Sequence, residues 1–424
     1  MLLKNCTALL SYRKGFELEN MDIRIRDIRI EEIASNLEPL PEEIVRDIGG
    51  DLVIPGLINA HTHAPMIIFR GYADDIPFEE WLFGKILPAE MKLTDEIVYW
   101  ATLLACAEMI KTGTTSFVDM YSNTDAIAEA VEKIGMRGFI TQGLTDTDNG
   151  GNRRLEENIS LMRKWNDSDR IKIGFGPHSP YTCSPDYLKE IVAKVKEEDS
   201  FLTIHLFENA KEREMVKETF GVEETQILNE SGIYDVPCIA AHCVHVKDED
   251  ILALSKNNVS VVHDPSSNMK LANGIAPIVK MYNEGINICL GTDGAASNNS
   301  LNLWNEIRLA ALVHKAITQD PTVMSAPQIL KMATENGAKA LGMSNSLGRI
   351  EKDMLADLVV LDLDALSFHP PNDIISDLAY STNGSEVKDV IANGKFIMKD
   401  REILTIDIQE VKSRIDEYAG QICV

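Results

Sequence analysis

The chain is short of positive charge: 41 lysines and arginines face 66 aspartates and glutamates, a formal net charge of −25 at pH 7. That balance argues against nucleic-acid backbones and anionic membranes as partners, since both bind through clustered basic groups. A well-solvated acidic surface accounts for it, and adaptation to a salty interior would leave the same mark. Long apolar runs are also missing. No stretch approaches the roughly 18 uninterrupted apolar residues of a membrane span. Met1 to Gly15 lacks the basic-then-apolar layout of a secretory leader, because Arg13 and Lys14 interrupt its apolar run. The cysteines (Cys6, Cys106, Cys183, Cys238, Cys243, Cys289 and Cys423) are odd in number and form no C-x-x-C pair. They read as reduced, mostly buried small residues, and a cytoplasmic protein is expected.

What is present suffices for a large core. The 424 residues are 45% hydrophobic and 25% charged, an ordinary globular composition that predicts one large domain with a smaller one. Between residues 53 and 293 a short β-branched run ending in a polar residue recurs, each followed by a longer helical segment. The runs are Val53–Ile58, Thr115–Met120, Arg137–Thr141, Ile171–Gly176, Phe201–Leu206, Cys238–Cys243, Val259–His263 and Ile286–Gly291. Thr94–Lys111 carries Ile97, Thr102, Ala105 and Met109 on one helical stripe, and Ser184-Pro185-Asp186 is a helix start. Strands alternating with helices in this number predict an α/β fold, a closed (β/α)8 barrel over residues 53–346. A doubly wound open sheet is the alternative, and it lacks its glycine-rich phosphate fingerprint after the first strand.

The ends differ. Residues 1–52 and 347–424 carry short strand-like segments at Leu2–Leu10, Asp22–Ile30, Ala356–Asp362, Val387–Ala392 and Phe396–Met398, with Asn393-Gly394 as a hairpin signal. Neither end can build a core alone, so the two are expected to join in one small β-sandwich domain beside the barrel.

In such a barrel the active site lies at the C-terminal ends of the strands. Those ends carry His61, His63, Asp119, His178, His205, His242, His263 and Asp293, which include six of the nine histidines. Any one histidine is ordinarily a satisfied core or surface residue. Six at one recurring phase indicate a site. In His61-Thr62-His63 the side chains at i and i+2 share a face, so both imidazoles can bind one ion. Joined by His205 and Asp293, the set suits zinc or iron(II). Glu208, three residues beyond His205, stands where a proton shuttle is needed. Asp293 can also accept a proton from the attacking water, and His242 is expected to orient that water without binding metal.

These motifs resemble the amidohydrolase superfamily, and within it the methylthioadenosine/S-adenosylhomocysteine and 5′-deoxyadenosine deaminases. The likeness runs the whole chain, through Pro55–His63 with Ala64-Pro65-Met66, Phe78-Glu79-Glu80-Trp81-Leu82, Gly176–Tyr181, Ala241–His245, Gly291–Asn299 and Ala356–Val360. It implies His61, His63, His205 and Asp293 as ligands of one divalent metal per subunit, zinc or iron(II). It implies Glu208 as the acid/base, with His242 and Asp293 at the water. Glu90 corresponds to the carboxylate that holds the ribose hydroxyls, His178 and Trp81 to substrate contacts, Arg154 to a group near the 5′ substituent and Ser297 to a residue at the base. The lysine that bridges two ions in related barrels has no counterpart: Lys172 precedes His178 by six residues, roughly 20 Å along an extended strand. The implied reaction is hydrolytic deamination of 5′-modified adenosines by a metal-activated hydroxide, in a homo-oligomer acting on a small nucleoside.

There are departures. Gln142 replaces an arginine that some relatives use for the amino-acid carboxylate of S-adenosylhomocysteine, which favours uncharged 5′ groups. Asp264 and Asn209 also stand where other residues are common. Three rival readings are a deaminase of free guanine or cytosine, a triazine chlorohydrolase, and a non-catalytic scaffold. Glu90 and the Trp81 segment favour a bound ribose, and the complete ligand set with Glu208 speaks against a scaffold.

Overall fold

The computed structural model describes residues 1–12, 15–77, 79–148 and 150–423, so that Arg13, Lys14 and Phe78 lie outside the described residues. The described residues form two sheets. One is parallel and follows chain order through Leu57–Thr62, Thr114–Tyr121, Arg137–Leu144, Ile171–Pro177, Leu202–Leu206, Cys238–His242, Ser260–His263 and Asn287–Leu290. The last strand returns to the first: the backbone N–H groups of Thr292 and Asp293 donate to the His61 carbonyl at 3.2 and 3.0 Å. This is the (β/α)8 barrel. Ala60, Val118, Phe139, Ile239, Val262 and Cys289, contributed by six of its strands, pack with Ala340 as one buried cluster, the layered filling such barrels require.

The second sheet draws on both chain ends. Leu2–Tyr12 lies between Gly15–Arg26 and Leu52–Pro55, and Leu358–Leu361 pairs antiparallel with Leu52–Pro55, followed by Val387–Ala392 and Lys395–Lys399. Asn393 and Gly394 have φ of 50° and 73° in the turn between the last two, the left-handed pair such a hairpin demands.

Three expectations are revised. The run Val53–Ile58 is two strands: Leu52–Pro55 belongs to the flanking sheet, and the barrel opens at Leu57. Gly56 marks the crossing, where a β-carbon would sit 2.1 Å from Thr115 Oγ1, so only glycine allows the two backbones to approach. Asp22–Ile30 spans a turn, with Arg26 paired to Arg29 and Asp27 left-handed. The C-terminal segment is partly helical: Ile408–Ile422 buries Val411, Ile415, Tyr418 and Ile422 at helical spacing, and Tyr418 donates to Glu96 on the barrel helix Asp95–Lys111 at 2.8 Å. Helix starts follow the sequence, with Thr94 and Ser184 accepting the N–H groups of Ile97 and Tyr187. Among the described residues no helix is long and apolar enough to cross a membrane, and the cysteines are unpaired.

Candidate active site

The chain end of the first barrel strand carries His61-Thr62-His63, gripped from the second strand by Asp119. One carboxylate oxygen of Asp119 accepts from Thr62 Oγ1 at 2.7 Å and from the Ala64 N–H at 2.6 Å. Burial lifts Asp119 to about 6 even against those two bonds. His63 Nδ1 lies 2.6 Å from the Met120 carbonyl, and His205 Nδ1 lies 2.7 Å from the His178 carbonyl. A carbonyl only accepts, so both rings carry their proton on Nδ1 and turn Nε2 to a common centre.

There the two Nε2 atoms are 3.2 Å apart, and ligating nitrogens of His61, His63 and His205 all lie within 4.8 Å of one another. Asp293 closes the group, with Oδ1 at 3.2 Å from His63 Nε2 and 3.6 Å from His61 Nε2. Its other oxygen accepts from Ser267 and Ser297, each at 2.6 Å. Both nitrogens of wholly buried His61 lack a hydrogen-bond partner, an expensive arrangement for a polar ring unless a ligand completes it. Burial drives His61 to about 4 and His205 well below its ordinary range, so both are neutral imidazoles. At His63 burial acts the same way, but the bond and charge of Asp293 outweigh it and raise the ring to about 9. Burial would also raise Asp293, yet the adjacent imidazoles of His61 and His63 hold it well below the usual range. Two neutral imidazoles, and a third whose Nε2 proton a cation would displace, beside an ionised carboxylate fit a divalent cation.

A cavity of about 340 Å³ opens over this centre and is lined on that side by His63, His205, His242, Glu208 and Asp293. Glu208 is buried, receives the Asn273 side-chain amide at 3.0 Å, and is raised chiefly by burial. His242, left-handed at φ 70°, sets Nδ1 2.9 Å from Asn268 Oδ1, and its backbone N–H donates to Asp264 at 3.3 Å. Glu90, Tyr121, Trp81, His178 and Ser297 line the cavity as well. The Tyr121 hydroxyl donates to Glu90 at 2.6 Å, and burial raises Glu90 despite that bond. His178 is pushed to about 4 by burial and the nearby imidazoles, and is neutral.

Other candidates stand apart. Arg154 is not in the cavity lining: its guanidinium takes both carboxylate oxygens of Asp148, one at 2.7 Å, and the Thr145 carbonyl at 2.9 Å. Gln142 accepts from Thr124 at 2.7 Å and does not line the cavity either. His263, despite its strand end, pairs Nε2 to Nε2 with His314 at 3.0 Å. Lys172 is exposed. Sequence reading missed Tyr121, Ser267, Asn268 and Asn273. Tyr121 ends the second barrel strand and so obeys the strand-end rule. The other three follow the seventh strand in a short helix and turn, and nothing in their residue type signals a role.

Residues 52–397 of this barrel chain match the amidohydrolase family; the chain belongs to that family. It is 44% identical over 426 residues, 100% of this chain and 98% of the relative, to a 5-methylthioadenosine/S-adenosylhomocysteine deaminase of Caldanaerobacter subterraneus subsp. tengcongensis. It is also 44% identical over 406 residues, 94% of this chain and 96% of the relative, to a 5′-deoxyadenosine deaminase of Methanocaldococcus jannaschii. Among solved structures, a zinc-bound adenosine deaminase from Xanthomonas campestris superposes with a TM-score of 0.95 at 29% identity, covering 99% of this chain and 98% of that one.

Proposed function

We propose that this chain hydrolyses the exocyclic amine from the adenine ring of 5′-modified adenosines: 5′-deoxyadenosine, 5′-methylthioadenosine, S-adenosylhomocysteine and adenosine itself. The observation that carries the reading is one cavity with two sets of chemical groups. Three histidines, Glu208 and Asp293 gather in it, and the hydrogen-bonded Glu90–Tyr121 pair lines it as well. Full-length likeness to deaminases of this substrate class supports it.

A single divalent ion, zinc or iron(II) by the nature of the donors, would be held by His61, His63, His205 and Asp293, and would supply the Lewis acidity that makes water a nucleophile at neutral pH. Glu208, kept high by burial, carries a proton to N1 of the adenine ring and so makes C6 electrophilic. His242 and Asp293 orient the attacking water, and Asp293 accepts its proton. A C6–O bond forms, the proton on Asp293 passes to the departing amine, the remaining hydroxyl proton returns to Glu208 as C6=O forms, and the C6–N bond breaks. Water is consumed, and ammonia and the inosine analogue are released. Glu90 accepts from the ribose hydroxyls, His178 and Trp81 flank the nucleoside, and Ser297 holds Asp293 beside the base. Arg154 guards the 5′ end from behind Thr145, and its engagement by Asp148 favours uncharged 5′ groups. The reading extends to a cytoplasmic homo-oligomer.

The test is ammonia release from 5′-deoxyadenosine, methylthioadenosine, S-adenosylhomocysteine, adenosine, guanine, cytosine and a chlorotriazine, side by side. Turnover confined to the last three would overturn the proposal.

A further inference from the structure

Glu212, the first residue of the helix Glu212–Phe220, is 1% exposed yet does not line the cavity. Its two carboxylate oxygens accept two successive backbone N–H groups, that of Phe207 at 3.0 Å and that of Glu208 at 2.7 Å. Those groups lie in the turn by which the chain leaves the fifth barrel strand beyond His205. Phe207 is left-handed there, at φ 53°, a conformation that costs a bulky residue energy and persists only when its surroundings impose it.

The surroundings do so from three sides. Glu212 takes the N–H groups, the Phe207 carbonyl accepts the His245 N–H at 2.8 Å, and the Arg213 guanidinium covers the Phe207 ring 4.5 Å from its centroid while paired with Asp250. Glu208 is thereby held at both ends: its backbone by Glu212 and its carboxyl group by Asn273 at 3.0 Å. A fully extended residue in place of Phe207 would send the next side chain elsewhere along the strand direction.

We infer that Glu212 is a positioning residue: by clamping the N–H groups of Phe207 and Glu208 it sets where the Glu208 carboxyl group stands over the reacting atoms. The inference rests on the reading of Glu208 as the proton carrier. Displacing a catalytic group by about 1 Å costs as much as 10²-fold in rate, so the clamp acts on kcat. Glu212→Gln retains one of the two acceptors and presents an amide NH2 group, itself a donor, to the other N–H. Glu212→Ala removes both.

The experiment uses the metal-loaded full chain, with kcat, KM and metal content measured for Glu212→Gln, Glu212→Ala, Glu208→Gln and the double variant Glu208→Gln/Glu212→Gln. Glu212→Gln is expected to lower kcat roughly 10- to 100-fold, with KM and metal content little changed. In the Glu208→Gln background the same change is expected to add almost nothing, since groups acting as a unit are non-additive. An equal loss in both backgrounds, or no loss in either, overturns the inference. If Glu208→Gln turns over normally, the reading of Glu208 fails instead, and a crystal structure of Glu212→Gln then decides the clamp. A displaced Glu208 beside an unmoved His205 supports it, and an unmoved Glu208 overturns it. Should Glu212→Ala fail to fold, the glutamine series stands alone.

Discussion

The His178 carbonyl accepts the Nδ1 proton of His205 at 2.7 Å, so one cavity residue fixes, through its backbone, the tautomer of a neighbouring candidate ligand. His63 is held in the same way by Met120. Two rings prepared in this manner, with His61 unpartnered between them, lead to the first prediction. Purified protein should contain close to one transition-metal ion per chain, and His61→Ala or Asp293→Ala should lose it. Elemental analysis finding two tightly held ions would rule out the mononuclear site.

Glu90 is the candidate for ribose recognition, and its partner Tyr121 donates to it at 2.6 Å. Glu90→Ala should weaken nucleoside kcat/KM by about 1.5–3 kcal/mol, the worth of hydrogen bonds to a charged group. Tyr121→Phe should cost less, because it leaves the carboxyl group in place. Unchanged kcat/KM in Glu90→Ala would send the search for the ribose contact elsewhere.

Asp148 engages the guanidinium of Arg154, and those bonds hold the Asp148 carboxyl group well below its usual range. A neutralised arginine offers little to a distal carboxylate. Uncharged 5′-deoxyadenosine or methylthioadenosine should therefore match or exceed S-adenosylhomocysteine in kcat/KM. Asp148→Asn should move the ratio toward S-adenosylhomocysteine, and Gln142→Arg should move it the same way. A wild-type preference for S-adenosylhomocysteine that survives Arg154→Ala would contradict this account of the 5′ end.

The helix Glu224–Ser231 begins at a buried carboxyl group beside Glu212. Burial raises Glu224 from an ordinary value of 4.5 to about 7. A raised carboxyl group binds its proton more tightly in the folded chain than in the unfolded one, so the contribution of Glu224 to folding stability is full below 4.5 and is lost as pH rises toward about 7. Glu224→Gln should flatten that fall. Denaturation midpoints of both proteins, compared at several pH values between 4.5 and 8 on a ~0.5-unit grid, provide the check; parallel curves would mean that Glu224 does not titrate in this window.

The residues that report a site did so through strand position, a property of local order. His61, His63, His205, His242 and Asp293 follow β-branched runs, and the barrel brings strand ends together whatever lies between them. Glu208 was legible from its spacing after His205, and Glu90 only through the family resemblance. His263 shows the limit of the rule: it occupies a strand end, yet its ring turns to His314, a partner 51 residues away that local order does not report. The same limit applies at Val53–Ile58. A run of β-branched residues reports extended backbone and not which sheet receives it, and at Gly56 the pairing passes from Leu358–Leu361 to Thr114–Tyr121.

By itself the sequence determined the fold class, the alternation of strands and helices, and the strand-end residues from which the candidate centre is drawn, since each follows from periodicity or from residue type at a repeated phase. Tertiary structure alone decided the rest: that Tyr121 meets Glu90, that Asn273 meets Glu208, that Arg154 is taken by Asp148, and that Glu212 holds the turn at Phe207. Only the last two pairs are near neighbours in the chain, and even there the outcome rests on a side-chain orientation set by packing. Hydrogen bonds of this kind depend on positions to within a few tenths of an ångström, which no one-dimensional pattern carries.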